Sequence, residues 1–124
     1  MYAELVCGPP GCGKTTYCEA KRQFIQTFYG QDRTPVLVNL DPANDGIFPY
    51  PCDIDVCSLI QHEVVMQTEG LGPNGSYLFC VDYLSTHMDW LAEQFRQYAE
   101  NHRRDSPSGG DEKPLWFIID CPGQ

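Results

Sequence analysis

The chain has 124 residues, room for one domain of ordinary size. Its hydrophobic share of 42%, with six Phe, seven Tyr and two Trp, supplies a packed core and excludes a disordered chain. The formal net charge is -9 and Lys plus Arg number only 8. That excludes a nucleic-acid surface, because a phosphate backbone is gripped by cationic side chains, but leaves room for a nucleotide held by backbone amides and a metal.

Taken in chain order, Ala3 to Cys7 is a short apolar run that stops at Gly-Pro-Pro-Gly, which predicts a buried strand. From Lys14 to Tyr29, Tyr17, Ala20, Phe24, Ile25 and Phe28 fall at the spacing of one helix face, with Gly30 as a cap. Pro35 to Leu40 reads as a second strand, and Asp41 to Asp53, with three prolines and Asn44, as a loop. Val56, Leu59, Ile60 and Val64 predict a helix from about Asp55 to Gln67. Tyr77 to Leu84 fits either a strand or a buried helix. Met88, Leu91, Phe95 and Tyr98 mark another amphipathic helix, N-capped by Thr86 or Asp89. Arg103 to Pro114 is polar and rich in Gly, Pro and Ser, a mobile surface loop, and Leu115 to Ile119 is a third strand that ends at Asp120. Strands separated by helices predict an α/β fold, a parallel sheet with crossover helices.

Seven cysteines without a CxxC pair argue against a disulfide scaffold or zinc site and favour a reducing compartment; Cys7, Cys18 and Cys80 read as small buried hydrophobes. No leader and no membrane-length apolar run is visible, so a soluble intracellular protein without a membrane partner is expected.

Gly8-Pro-Pro-Gly-Cys-Gly-Lys-Thr15 matches GxxxxGK[ST] at every fixed position, between a predicted strand and a predicted helix. Glycines at 8, 11 and 13 let backbone N–H groups, that of Cys12 included, converge on phosphate oxygens, and the helix N-terminus faces the same oxygens. Lys14 would reach the β- and γ-phosphates, the Thr15 hydroxyl would ligate Mg²⁺, and Thr16 would bond the α-phosphate. A P-loop NTPase also needs an acidic residue at the end of a neighbouring strand. Asp120 fits as the magnesium partner, and Asp41 can approach the γ-phosphate or the attacking water, though it is also placed as a turn former before Pro42. The Gly123 amide can sense the γ-phosphate and Gln124 can orient water.

These residues together resemble the GPN-loop GTPases. GPPGCGKTTYC is similar to that family's phosphate loop, VNLDPAND to its second motif and DCPGQ to its third, and Gly72-Pro73-Asn74 is the tripeptide that names it. Read alone, LGPNG is only a turn. The GPPG, NLDPAN and TTYC strings look most like the second of the eukaryotic branches. The resemblance implies GTP and Mg²⁺ as ligands and a homo- or heterodimer with another GPN-loop GTPase, in which Asn74 donates to the γ-phosphate of the partner's nucleotide. It also implies RNA polymerase II and III subunits or assembly chaperones as partners, and a cytoplasmic protein that shuttles to the nucleus. Cys12 stands where the family often has Ser, and the 103–114 insertion is longer than the family leads one to expect.

None of Lys14, Lys21 and Lys113 has an Asp two residues on, so no [NT]KxD guanine-selecting motif is present. The expectation is an N-terminal portion of a P-loop GTPase domain, truncated after the third motif, with the base-binding half absent. Three other readings stand beside it. They are a small-molecule or polynucleotide kinase, a metallochaperone GTPase (which would want ligand-like spacing among His62, His87 and His102), and an inactive nucleotide-binding or interaction module.

Overall fold

The computed structural model describes residues 2–9, 11–30, 32–44, 48–104 and 114–123. In chain order the elements are β1 (Tyr2–Val6), α1 (Lys14–Tyr29), β2 (Thr34–Asn39), β3 (Ile54–Asp55), α2 (His62–Glu69), α3 (Pro73–Thr86), α4 (Met88–Arg104) and β4 (Leu115–Asp120). The strands form one parallel sheet in the order β1-β4-β2-β3. β2 and β4 are continuous Val, Leu, Ile and Phe runs because they sit inside this sheet with helices on both faces.

Alternate residues of those strands feed two cores. Cys18 and Ile25 of α1 pack with Leu37, Tyr50 and Ile118 on one face. On the other, Leu84 of α3 and Leu91 of α4 pack with Val36, Val38, Phe117 and Ile119. The register decides where the chemistry lies: Asp120 stands opposite Val6 of β1 and Asn39 of β2. The glycine-rich loop that follows β1, the loop that follows β2 and the end of β4 therefore share one edge of the sheet.

The structure corrects several expectations. The helix expected over Asp55–Gln67 is divided. Ile54 and Asp55 pair with Val38 and Asn39, and the Asp55 carboxylate then caps a 3₁₀ turn (Val56–Ser58) by accepting the Cys57 amide at 3.0 Å. The turn does not run on, because Gln61 is extended, and α2 starts only at His62. Gly72-Pro73-Asn74 is no free turn: Gly72 is the N-cap of α3 and Pro73 its first residue, where the absent N–H and fixed φ of proline are tolerated. The ambiguous run Tyr77–Leu84 lies inside that helix. Thr86 ends α3, donating to the Tyr83 carbonyl at 2.9 Å, and so does not cap α4. Gly30 closes α1 in right-handed geometry, without a left-handed cap. Arg103 and Arg104 are the last residues of α4, while 105–113 of the expected loop lie outside the described residues. Cys18 and Cys80 are buried as expected, but Cys7 is exposed at the end of β1. Among the described residues no helix is long and apolar enough to cross a membrane.

Candidate functional site

The loop from Gly8 to Gly13 turns the chain from β1 into α1. Gly11 and Gly13 hold φ values of 80° and 91°, a left-handed conformation that side chains with a Cβ rarely adopt. A Cβ on Gly8 would lie 2.6 Å from the Cys12 sulfur, so the loop also requires glycine there for space. The Cys12 amide donates to the Pro9 carbonyl at 3.3 Å, and the first helical bond of α1 runs from the Tyr17 amide to Gly13 at 2.9 Å.

Gly11, Gly13, Lys14, Thr15, Thr16, Asp41 and Asn44 line an open cleft of about 380 Å³. Lys14 is only 9% exposed and its ammonium donates to the Pro9 carbonyl at 3.3 Å, held along the loop instead of projecting into solvent. Cys12 lies on the other side of the loop, in a second hollow with Glu4, Leu5 and Tyr17.

Across the cleft, Asp120 is 1% exposed at the end of β4. Its Oδ2 accepts from the Thr15 hydroxyl at 2.9 Å, the Tyr50 hydroxyl at 3.0 Å and the Asn44 amide at 3.4 Å. Its Oδ1 is buried with no hydrogen-bond partner. A buried carboxylate oxygen left unpaired costs about 1–3 kcal/mol or more, so this atom marks a place where a further group belongs. Hydroxyl and carboxylate oxygens side by side are the hard donors that Mg²⁺ takes, and the residues fit that ion. Burial and the neighbouring Asp120 push the Tyr50 hydroxyl well above its ordinary value, so it keeps its proton and always donates.

The loop after β2 is fixed by Asn39, fully buried, whose side-chain amide donates to the Asp41 carbonyl and to Asp55 Oδ1, each at 3.0 Å. Asn44 donates to Asn39 Oδ1 at 3.2 Å and so links this network to Asp120. Asp41 Oδ1 accepts the Ala43 amide at 3.0 Å, as a turn aspartate does, and the residue also lines the cleft.

The remaining described candidates, Gly72, Pro73, Asn74 and Gly123, do not line the cleft. Gly72, Pro73 and Asn74 are exposed at the start of α3, and Asn74 does not line its own chain's cleft. The Pro73 carbonyl pairs with the His62 ring at 3.0 Å, and Ser76 donates to the His62 carbonyl at 3.0 Å, joining α3 to α2. The Gly123 amide donates to the Tyr77 hydroxyl at 3.0 Å, which ties the third motif to the same helix. Gln124 lies outside the described residues. Sequence reasoning gave no role to Tyr50 or Tyr77, and met Asn39 and Asn44 only as parts of the VNLDPAND string and its loop. For Tyr50 the available signal was an aromatic side chain in the proline-rich segment between β2 and β3.

The sequence comparisons agree with this geometry. A family model described as a conserved hypothetical ATP binding protein matches residues 6–124. The chain is 37% identical to GPN-loop GTPase 2 of Danio rerio over 123 residues, 99% of this chain and 34% of that protein. It is 37% identical to GPN-loop GTPase QQT1 of Arabidopsis thaliana, over 100% of this chain and 36% of that one. With GPN-loop GTPase 3 of Dictyostelium discoideum the identity is 35%, over 99% and 37% of the two chains. A solved structure, a GTPase in apo form from Pyrococcus abyssi, superposes with a TM-score of 0.64 at 28% identity, covering 99% of this chain and 42% of that one. The chain thus spans about a third of the length of the curated relatives it matches. With the phosphate loop, the buried aspartate and the helix-opening Gly-Pro-Asn all in place, the chain belongs to the GPN-loop GTPase family, which the matching model describes as conserved hypothetical ATP binding proteins.

Proposed function

We propose that this chain is the phosphate- and magnesium-binding part of a GTP hydrolase, converting GTP and water to GDP and phosphate. The observation that carries this reading is the 2.9 Å contact between Thr15 at the head of α1 and the buried Asp120 at the end of β4. Around it, Lys14 and the amides of the glycine loop would hold the phosphates, Lys14 exchanging its bond to Pro9 for phosphate oxygens. Thr15 and Asp120 would hold Mg²⁺, which when bound supplies charge neutralisation on the phosphate oxygens. Asp41 would position the attacking water. Gln124 would share that task, and the Gly123 amide would meet the γ-phosphate.

A dimer is part of the proposal. Asn74 is exposed and outside its own cleft, which supports delivery of its amide to the nucleotide of a second GPN-loop subunit, where it would stabilise charge that develops in the transition state. The family resemblance further supports RNA polymerase II and III subunits or assembly chaperones as partners, in the cytoplasm with shuttling to the nucleus. Co-purification of polymerase subunits with a tagged chain tests this, and their absence removes the partner proposal alone.

The choice of base rests on the relatives' names, because the family description mentions ATP and the chain carries no [NT]KxD motif. Calorimetry with GTP and ATP in magnesium buffer decides it. Lys14→Ala is expected to weaken binding by about 10- to 100-fold, the worth of hydrogen bonds from a charged donor. Failure of the unaltered protein to take up either triphosphate overturns the reading. A second reading is a nucleotide-binding module without turnover. That reading predicts uptake with no phosphate release at any protein concentration.

A further inference from the structure

We propose that Tyr50 is a positioning residue for the magnesium carboxylate, its hydroxyl fixing the plane in which the Asp120 carboxylate meets the ion. This inference rests on the nucleotide-hydrolase reading and assigns a residue beyond it.

The two oxygens of Asp120 are treated very differently. Oδ2 gathers three donors, from Thr15, Tyr50 and Asn44, whereas Oδ1 has none. A carboxylate turning freely about its last bond would sample many planes. The Tyr50 bond, 3.0 Å long and made in the interior, holds it in this one. Thr15 donates to the same oxygen at 2.9 Å while its lone pairs stay available to the cation, so Tyr50 is the donor whose only part here is orientation. Asn44 is the more distant donor at 3.4 Å and is shared with Asn39.

Tyr50 is built for a fixed position. It is 4% exposed, its ring stacks on Phe48 with centroids 5.3 Å apart and planes at 24°, and it packs with Cys18, Ile25, Leu37 and Ile118. The residue lies in the segment that leads from β2 to β3, so its hydroxyl also fastens the stretch carrying Asp41 and Asn44 to the end of β4. Partners that orient a metal ligand typically matter by about 10- to 100-fold in metal affinity.

The test is Tyr50→Phe, which keeps the ring and removes only the hydroxyl. Guanosine diphosphate affinity is measured with EDTA and then across a magnesium titration. The expected result is unchanged affinity in EDTA and a magnesium midpoint raised about tenfold. Phe48→Leu, which loosens the ring stack but leaves the hydroxyl, is expected to lower Tm and to shift the midpoint less than Tyr50→Phe does. An unshifted midpoint in Tyr50→Phe overturns the assignment, as does an equal loss of affinity with and without magnesium, or a midpoint shift in Phe48→Leu as large as in Tyr50→Phe. If the unaltered protein binds no nucleotide in either condition, the hydrolase reading itself falls and takes this assignment with it. A protein that binds normally while Tyr50→Phe behaves like it removes Tyr50 alone.

Discussion

Asp41 accepts the Ala43 amide at 3.0 Å while its residue lines the phosphate cleft, so the charge and the turn can be separated by substitution. Asparagine makes the same kind of turn bond without the charge. Asp41→Asn is therefore expected to leave nucleotide affinity within about threefold and to lower single-turnover hydrolysis at least about 100-fold, the usual worth of a positioned base or water-holding group. The cysteines give a second check at this scale. Burial pushes the Cys18 thiol up to about 12 and raises that of Cys80, whereas Cys7 and Cys12 are exposed. Iodoacetamide followed by mass spectrometry should label Cys7 and Cys12 first and reach Cys18 and Cys80 only when the fold opens. Residues were legible in the sequence where their chemistry depends on neighbours: Gly8, Gly13, Lys14 and Thr15 lie within one local motif. Tyr50 and Asn44 were not, because their shared partner is 70 and 76 positions away and only the strand register brings it to them.

At the level of elements, α1 was readable to its ends, since apolar spacing and the glycine loop agree on it. The division of the 55–69 region was hidden because Gln61 takes an extended backbone between the 3₁₀ turn and α2, and the apolar spacing of Val56 to Val64 does not mark that break. The Gly-Pro-Asn tripeptide read as a turn because glycine and proline mark turns and helix starts alike. As a helix start it is stiffly mounted. Ser76, fully buried two residues after Asn74, donates to His62 and fastens α3 to α2. Ser76→Ala should cost about 1 kcal/mol, read as a lower denaturant midpoint with unchanged slope. If the tripeptide moved independently of the fold, this substitution would leave stability untouched.

For the whole molecule, the parallel α/β class followed from strands alternating with helices, but the order of strands did not, because hydrophobic runs such as those of β2 and β4 say only that both are interior. Three strands were visible; the two-residue β3 was too short to carry a pattern. The order β1-β4-β2-β3 places β4 between β1 and β2, with Tyr2 opposite Trp116 and Thr34 opposite Leu115. As the chain leaves the ribosome, β1 and β2 emerge early with no shared hydrogen bonds, and they wait for residues 115–120 before either gains its central neighbour. Helices α1, α3 and α4 can coil meanwhile on local contacts, but the apolar faces they present have no completed sheet to cover. β4 thus acts as the keystone between β1 and β2, and nascent chains stay exposed to aggregation at least until it is inserted.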